Sequence, residues 1–373
     1  METRVIHIDS KNPDARKIQE AARLIDTGGL VAFPTETVYG IACRVNNESL
    51  RKLDNLKARG PGKYYTLHIG QKTQVCKYVP SPGLKAQKLI RKSWPGPVTI
   101  VFELSQAEID KQRAELEEEV FHNLYKDNTI GIRCPDNRIA SLLLSEVKNS
   151  VVAPSANITE SSPAVDAEGV LACFSGRIEM VLDGGVSKYR KNSTVVKVKG
   201  SDVQILREGV YSSQDVKAFL EVKFLLVCTG NTCRSPMAEG MFRKYLAEKL
   251  GCAVDELAKK GYKVSSAGIL NIAGSPASAE SVVACRAKGI DISAHRSRVI
   301  TREIAADSDV IFAMGREHGE RITALEPEAA NRCMLLAESR NIPDPIGQSQ
   351  EVYDKCAELI EEAVLKRIGE IKI

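Results

Sequence analysis

The chain has 373 residues, 43% of them hydrophobic and 27% charged, and a net charge of +4. That length supports two hydrophobic cores of ordinary size, and so weak a positive balance, without a run of five Lys or Arg, neither demands nor forbids a nucleic-acid partner. No stretch of eighteen apolar residues and no signal-peptide core occurs, so the expected setting is cytoplasmic and without membrane, while ten scattered cysteines with no Cys-x2-Cys pair argue against a disulfide framework or a zinc site.

Residues 13–27 carry Ile18, Ala21, Ala22 and Ile25 at helical spacing, and Gly28 and Gly29 end the pattern. A strand, LVAFPTETVYG, is expected next, followed by strand-like runs at 66–70, 98–104, 130–134, 151–153, 180–182, 194–198 and 203–206. Helical patterns at 49–57, 83–93 and 137–148 lie between several of them. Connections between 183 and 203 are too short for helical crossovers, so the sequence predicts an α/β fold with a twisted mixed sheet. The joint falls in EGVYSSQDVKAFLEV, which divides the chain into a first domain at 1–212, a linker at 213–222 and a second domain at 223–373. From there strands at 223–228, 262–266, 309–313 and 332–336 alternate with helices at 236–250, 277–288, 316–325 and 349–368. That order predicts a doubly wound parallel sheet with its site at the carboxyl end of the first strand.

Phosphate handling is the theme of the first domain, although Gly60-Pro61-Gly62-Lys63 lacks the upstream glycine of a P-loop and is followed by Tyr64. Lys57, Arg59 and Lys63 place three cations on one glycine-containing segment, fit for a triphosphate. The motifs FPTETVYG, LKARGPGKYYTLHIG, WPGPVTIV, GIRCPDN, APSANIT, NSTVV and LREG, in that order, resemble the YrdC-type threonylcarbamoyl-AMP synthases. The resemblance implies an enzyme that joins L-threonine, bicarbonate and ATP into threonylcarbamoyl-AMP and pyrophosphate, with an indirect link to tRNA through threonylcarbamoyladenosine (t6A) modification. It implies that Lys57, Arg59, Lys63, Ser155, Asn157 and Arg207 bind ATP. By the same resemblance Thr35, His68, Arg133 and Ser193 hold threonine, with Arg133 paired to its carboxylate. Mg2+ is expected to accompany ATP without a dedicated carboxylate cage, and Gly60 and Gly62 imply a segment that closes over the substrates. Where the family usually continues Pro-Leu after the second lysine, this chain has Tyr64-Tyr65. A rival reading makes this domain an RNA-binding module that positions the activity of the second domain.

The second domain opens on KFLLVCTGNTCRSPMAE, residues 223–239. An apolar strand runs into a loop at 228–235, and Pro236 opens a helix, so loop amides and the positive helix end converge on whatever the loop encloses. A thiolate at Cys228 supplies a nucleophile, and Arg234 can grip two phosphoryl oxygens. The spacing Cys-x5-Arg-Ser resembles the low-molecular-weight protein phosphatases. The resemblance implies that Cys228 attacks phosphorus, Arg234 binds the phosphoryl group, Ser235 donates to the thiolate and Asn231 fixes a phosphate loop completed by Thr229, Gly230, Thr232 and Cys233. Asp344, in IPDPIG, matches the general acid of a reaction through a phosphocysteine that needs no metal or other cofactor, and Pro345 biases its backbone to be extended. Thr232 resembles the protein-arginine phosphatases, and Ile346-Gly347 stands where tyrosine-specific members carry aromatic residues, so a phosphoprotein bearing phosphoarginine is favoured over phosphotyrosine. Cys233 stands where relatives form a protective disulfide with the nucleophile. The remaining cysteines and Trp94 read as packing residues, and the acidic run 115–119 as an exposed helix face.

Overall fold

The computed structural model describes residues 2–58, 60, 65–159 and 161–372. The chain forms two compact units, Met1–Phe219 and Leu220–Ile373. The first unit runs β1 (Arg4–His7), α1 (Ala15–Asp26), β2 (Val31–Phe33), β3 (Gly40–Arg44), α2 (Asn47–Lys57), β4 (Thr66–His68), α3 (Leu84–Ser93), β5 (Val98–Glu103) and α4 (Gln106–Glu115). It continues with α5 (Glu118–Leu124), β6 (Thr129–Arg133), α6 (Arg138–Glu146), β7 (Val151–Val152), α7 (Ala167–Phe174), β8 (Met180–Asp183), β9 (Thr194–Lys199), β10 (Asp202–Arg207) and α8 (Ser213–Phe219).

The ten strands make one sheet in the order β1-β8-β2-β3-β7-β4-β6-β5-β9-β10. Pairings are mixed: β4–β6 and β5–β9 are parallel, while β5–β6, β4–β7 and β9–β10 are antiparallel. Helix α1 starts where the Asp14 carboxylate accepts from the amides of Arg16 and Lys17. Its Ile18, Ala21, Ala22 and Ile25 face packs with Val31, Phe33, Leu143 and Met180 into one core.

Three local expectations are corrected. LVAFPTETVYG is two antiparallel strands, β2 and β3, because Pro34 has no N–H for a ladder and the Thr35 hydroxyl accepts from the amides of Thr37 (3.2 Å) and Val38 (3.3 Å), folding a tight turn. The acidic run 115–119 spans the end of α4 and the start of α5, with the break at Leu116. The stretch 213–222 is helix α8, anchored by buried Val216, and then the first residue of the next strand.

The second unit runs β11 (Val222–Cys228), α9 (Arg234–Leu250), β12 (Tyr262–Gly268), α10 (Ala279–Ala287), α11 (Arg302–Asp307), β13 (Val310–Ala313), α12 (Arg316–Leu325), β14 (Cys333–Leu335) and α13 (Gln350–Glu370). All pairings are parallel, in the order β12-β11-β13-β14. Strand β11 is central and apolar on both faces, as a sheet covered on two sides requires. Phe224 meets Phe242 of α9 at 4.8 Å between ring centroids, whereas Leu225 and Val227 join Ala305 of α11 and Ile322 of α12 in a separate cluster. Strand order reverses between β11 and β13, so their carboxyl ends open a crevice where Cys228 leaves the sheet.

Candidate active sites

A cavity of about 870 Å³ in the first unit is lined by Thr35, Lys57, His68, Arg133, Ser155, Asn157, Ser193 and Arg207. The other two expected nucleotide ligands, Arg59 and Lys63, and Tyr64 lie outside the described residues. Parallel pairing of β4 with β6 sets His68 directly beside Arg133. Burial, reinforced by the Arg133 charge, pushes His68 down to about 3, so the ring is neutral at physiological pH. Its Nδ1 lies 3.0 Å from the Thr66 carbonyl, which can only accept, so Nδ1 carries the proton and Nε2 is left as an acceptor.

Arg133 is buried, and its Nη2 donates to Glu36 Oε1 (2.9 Å) and Thr37 Oγ1 (2.6 Å). The other Glu36 oxygen accepts from the Asp136 amide at 3.1 Å. The carboxylate that faces Arg133 in this structure is therefore Glu36, a residue the sequence reading passed over inside its own motif. Arg133 Nε is buried with no partner among the described residues. Arg207, which lines the same cavity, donates from Nη2 to the Ser193 carbonyl (2.9 Å), and burial followed by the Arg133 charge lowers its pKa. Ser193 Oγ pairs with Thr99 Oγ1 at 3.0 Å. Lys57, in the last turn of α2, donates to the carbonyls of Ser155 and Asn157, both at 2.5 Å, tying α2 to the 155–157 segment. The Asn157 side-chain amide donates to Ile158 and Ser161 carbonyls, while its oxygen accepts from the Ser155 hydroxyl.

In the second unit the loop from Cys228 to Ser235 is wound around the sulfur. Asn231 N donates to Cys228 Sγ at 3.3 Å, and Ser235 Oγ lies 3.0 Å from it. Asn231 adopts φ of +56°, a conformation Asn tolerates better than most residues. Its Nδ2 donates to Ser235 Oγ and Ser266 Oγ, each at 2.8 Å, and its Oδ1 accepts from the Arg298 amide at 2.9 Å. Gly268 admits the loop, since a Cβ there would sit 2.8 Å from the Thr229 carbonyl oxygen. Cys228, Asn231, Cys233, Arg234 and Ser235 are buried, whereas Thr229, Gly230 and Thr232 are half-buried at the loop mouth.

Arg234 donates from Nη1 to the Ile342 carbonyl (3.0 Å) and from Nη2 to Thr229 Oγ1 (2.9 Å), and it pairs with Asp344. Arg234 Nε is buried and has no partner among the described residues. One further side chain was not foreseen: His318, fully buried in the first turn of α12, with Nε2 3.0 Å from Thr229 Oγ1. Cys233 Sγ contacts Tyr353 Oη at 3.4 Å, and burial, aided by that contact, pushes Tyr353 up to about 12. Among the described residues no group of three or more His, Cys, Asp or Glu could hold a metal, and no helix is long and apolar enough to cross a membrane.

Fold and geometry define a two-part protein: a mixed-sheet unit with a cavity large enough for a nucleotide, and a parallel-sheet unit with a Cys-x5-Arg anion loop at its switch point. The chain belongs to the Sua5_yciO_yrdC family, described as "Telomere recombination", which matches residues 23–209, and to the low molecular weight phosphotyrosine protein phosphatase family, which matches residues 223–372. The threonylcarbamoyl-AMP synthase of Pyrococcus abyssi is 29% identical over 235 residues, covering 61% of this chain and 65% of that relative. The low molecular weight protein-tyrosine-phosphatase Etp of Escherichia coli is 35% identical over 142 residues, covering 37% of this chain and 87% of the relative. A solved structure of P. abyssi Sua5 complexed with L-threonine shares the fold, with a TM-score of 0.52 at 21% identity over 71% of this chain and 92% of that one. Both resemblances drawn from the motifs, and the fold classes they implied, are borne out.

Proposed function

We propose that the chain is a bifunctional enzyme of the cytoplasm that makes threonylcarbamoyl-AMP in its first unit and hydrolyses phosphoproteins in its second. The observation that carries the first activity is convergence: side chains between Thr35 and Arg207 meet in one cavity that accommodates ATP and an amino acid together. The threonine carboxylate satisfies the orphaned Nε of Arg133, whose Nη2 is held by Glu36 and Thr37. Neutral His68 presents Nε2 as an acceptor to the threonine ammonium or hydroxyl. The threonine amine combines with bicarbonate to give a carbamate and water, and a carbamate oxygen displaces pyrophosphate from the α-phosphorus of ATP. Arg207 and the cations following α2 offset the phosphate charge, with Mg2+ entering as part of the ATP substrate. The product serves the enzymes that modify tRNA to t6A. Pyrophosphate release that requires both L-threonine and bicarbonate, and that falls about a hundredfold or more in Lys57→Ala, tests the reading. RNA binding without turnover overturns it.

For the second unit, the Cys228 sulfur attacks phosphorus, the P–N or P–O bond to the leaving group breaks, and Asp344 protonates the departing atom. Asp344 then takes a proton from water as it attacks the phosphocysteine, releasing inorganic phosphate and the thiolate. The buried, unpartnered Nε of Arg234 is a ready donor to a phosphoryl oxygen. Phosphoarginine is the preferred substrate: Thr232 sits at the loop mouth, and the residue after Asp344-Pro345 is Ile346, 64% exposed, with no ring there for phenyl stacking. Turnover of both phosphoamino acids by the intact chain decides this, and faster phosphotyrosine hydrolysis sinks the preference.

A further inference from the structure

We propose that His318 is a positioning residue of the phosphatase site, holding Arg234 in place through the hydroxyl of Thr229. The proposal rests on the phosphatase reading of the second unit. His318 lies in the first turn of α12, the helix that follows β13, and Cys228 ends the neighbouring strand β11.

The direction of each hydrogen bond is fixed by what the partners can do. Arg234 Nη2 only donates, so Thr229 Oγ1, 2.9 Å away, accepts from it. The single proton of that hydroxyl is then available to His318 Nε2 at 3.0 Å, which must be unprotonated to take it. The ring proton accordingly sits on Nδ1, which is buried without a hydrogen-bond partner among the described residues and lies 3.3 Å from Glu317 Oε1, close enough to feel its charge. Glu317 folds back over Gly315, where a Cβ would come within 2.5 Å of its carboxylate, so a glycine at the helix start makes room for the charge beside the ring. The charged groups around the ring are Glu317, Arg234 and Asp344; burial, aided by the Arg234 charge, outweighs the two carboxylates and the Gly315 backbone and keeps the ring's pKa below its ordinary value.

The result is a relay, Arg234 to Thr229 to His318, that settles which acceptors Arg234 meets on this side. One Nη1 hydrogen goes to Ile342, and Nη2 serves Thr229 and Asp344. Nε is left for the phosphoryl group. Without an acceptor at the histidine position, Thr229 can turn its proton inward and compete with Arg234, loosening the guanidinium against the phosphate loop.

The test compares His318→Leu, His318→Gln, Thr229→Val, Thr229→Ser and the double variant His318→Leu/Thr229→Val in the full-length protein. Hydrolysis of phosphoarginine and para-nitrophenyl phosphate, inhibition by inorganic phosphate, and the rate of Cys228 alkylation by iodoacetamide are followed. His318→Leu should lower kcat/KM about tenfold and weaken inhibition by phosphate by about the same factor, the cost of one buried hydrogen bond, with alkylation of Cys228 unchanged. His318→Gln, whose Oε1 can accept in place of Nε2, should stay within about threefold of wild type. Thr229→Val should match His318→Leu, and the double variant should be no worse than either single change. Should His318→Leu fail to fold, the contrast between Thr229→Val and Thr229→Ser carries the same prediction. Glutamine as damaging as leucine, or losses that multiply in the double variant, overturn the proposal. A wild-type protein inert toward both substrates overturns the phosphatase reading instead.

Discussion

Asn231→Ala removes the fastener of the phosphate loop, and its cost can be worked out contact by contact. The side chain makes three hydrogen bonds, two buried ones to Ser235 Oγ and Ser266 Oγ and a partly buried one from the Arg298 amide. At about 1 kcal/mol each the loss is about 3 kcal/mol. The left-handed φ of +56° adds about 1 kcal/mol once alanine must hold it. For a unit of this size about 4 kcal/mol lowers Tm by about 8–16 °C. Calorimetry of the intact chain measures the shift, and the single tryptophan, Trp94, lies buried in the first unit, so its fluorescence follows that unit's melting separately. Asn231→Gly relieves the backbone strain without restoring the bonds and should recover about 1 kcal/mol of the loss. A Tm decrease below about 3 °C, or a glycine variant no more stable than alanine, would refute the assignment of Asn231 as the loop's anchor.

The neutral, buried His68 makes the first unit sensitive to acid. Because its folded pKa of about 3 lies below the unfolded value of 6.5, the unfolded chain binds the extra proton between those limits, and stability falls as pH drops through that window. Unfolding followed by Trp94 fluorescence should therefore show a slope of about 1.4 kcal/mol per pH unit from this group, absent in His68→Gln; an unchanged slope in that variant contradicts it. Gly268→Ala should cost about 1–3 kcal/mol and impair phosphatase turnover, since its Cβ would press the Thr229 carbonyl and the Asn231 amide; wild-type kcat/KM in that variant rules this out. Hydrogen peroxide should inactivate the phosphatase reversibly through a sulfenic acid on Cys228 that condenses with Cys233 and loses water. Recovery with a thiol reductant, lost in Cys233→Ser, is the expected result, and irreversible loss in wild type counts against it.

Much of this was legible because both sites are built on motifs whose chemistry is local. Cys228, Asn231, Arg234 and Ser235 occupy eight consecutive positions, and the strand-loop-helix pattern around them follows from the apolar run and Pro236. What escaped depended on contacts between distant segments. Glu36, inside a strand-like run, looks like a solvent-facing residue until the turn at Pro34 and Thr35 swings it against Arg133. His318 sits in GREHGER, whose charges read as a solvated helix, yet the first turn of α12 abuts the strand ends and buries it completely. The pairing of His68 with Arg133 is likewise a matter of sheet register, which neither motif contains.

The pairings of the ten-stranded sheet bear on how the first unit assembles. Strand β1 aligns with β8 near the other end of the unit, and β5 with β9, so the walls carrying Ser193 and Arg207 join the rest only across long spans of chain. Long-range pairings of this sort form slowly during folding. The cavity exists only once these distant strands have paired, so ligand capture would report that the unit is complete.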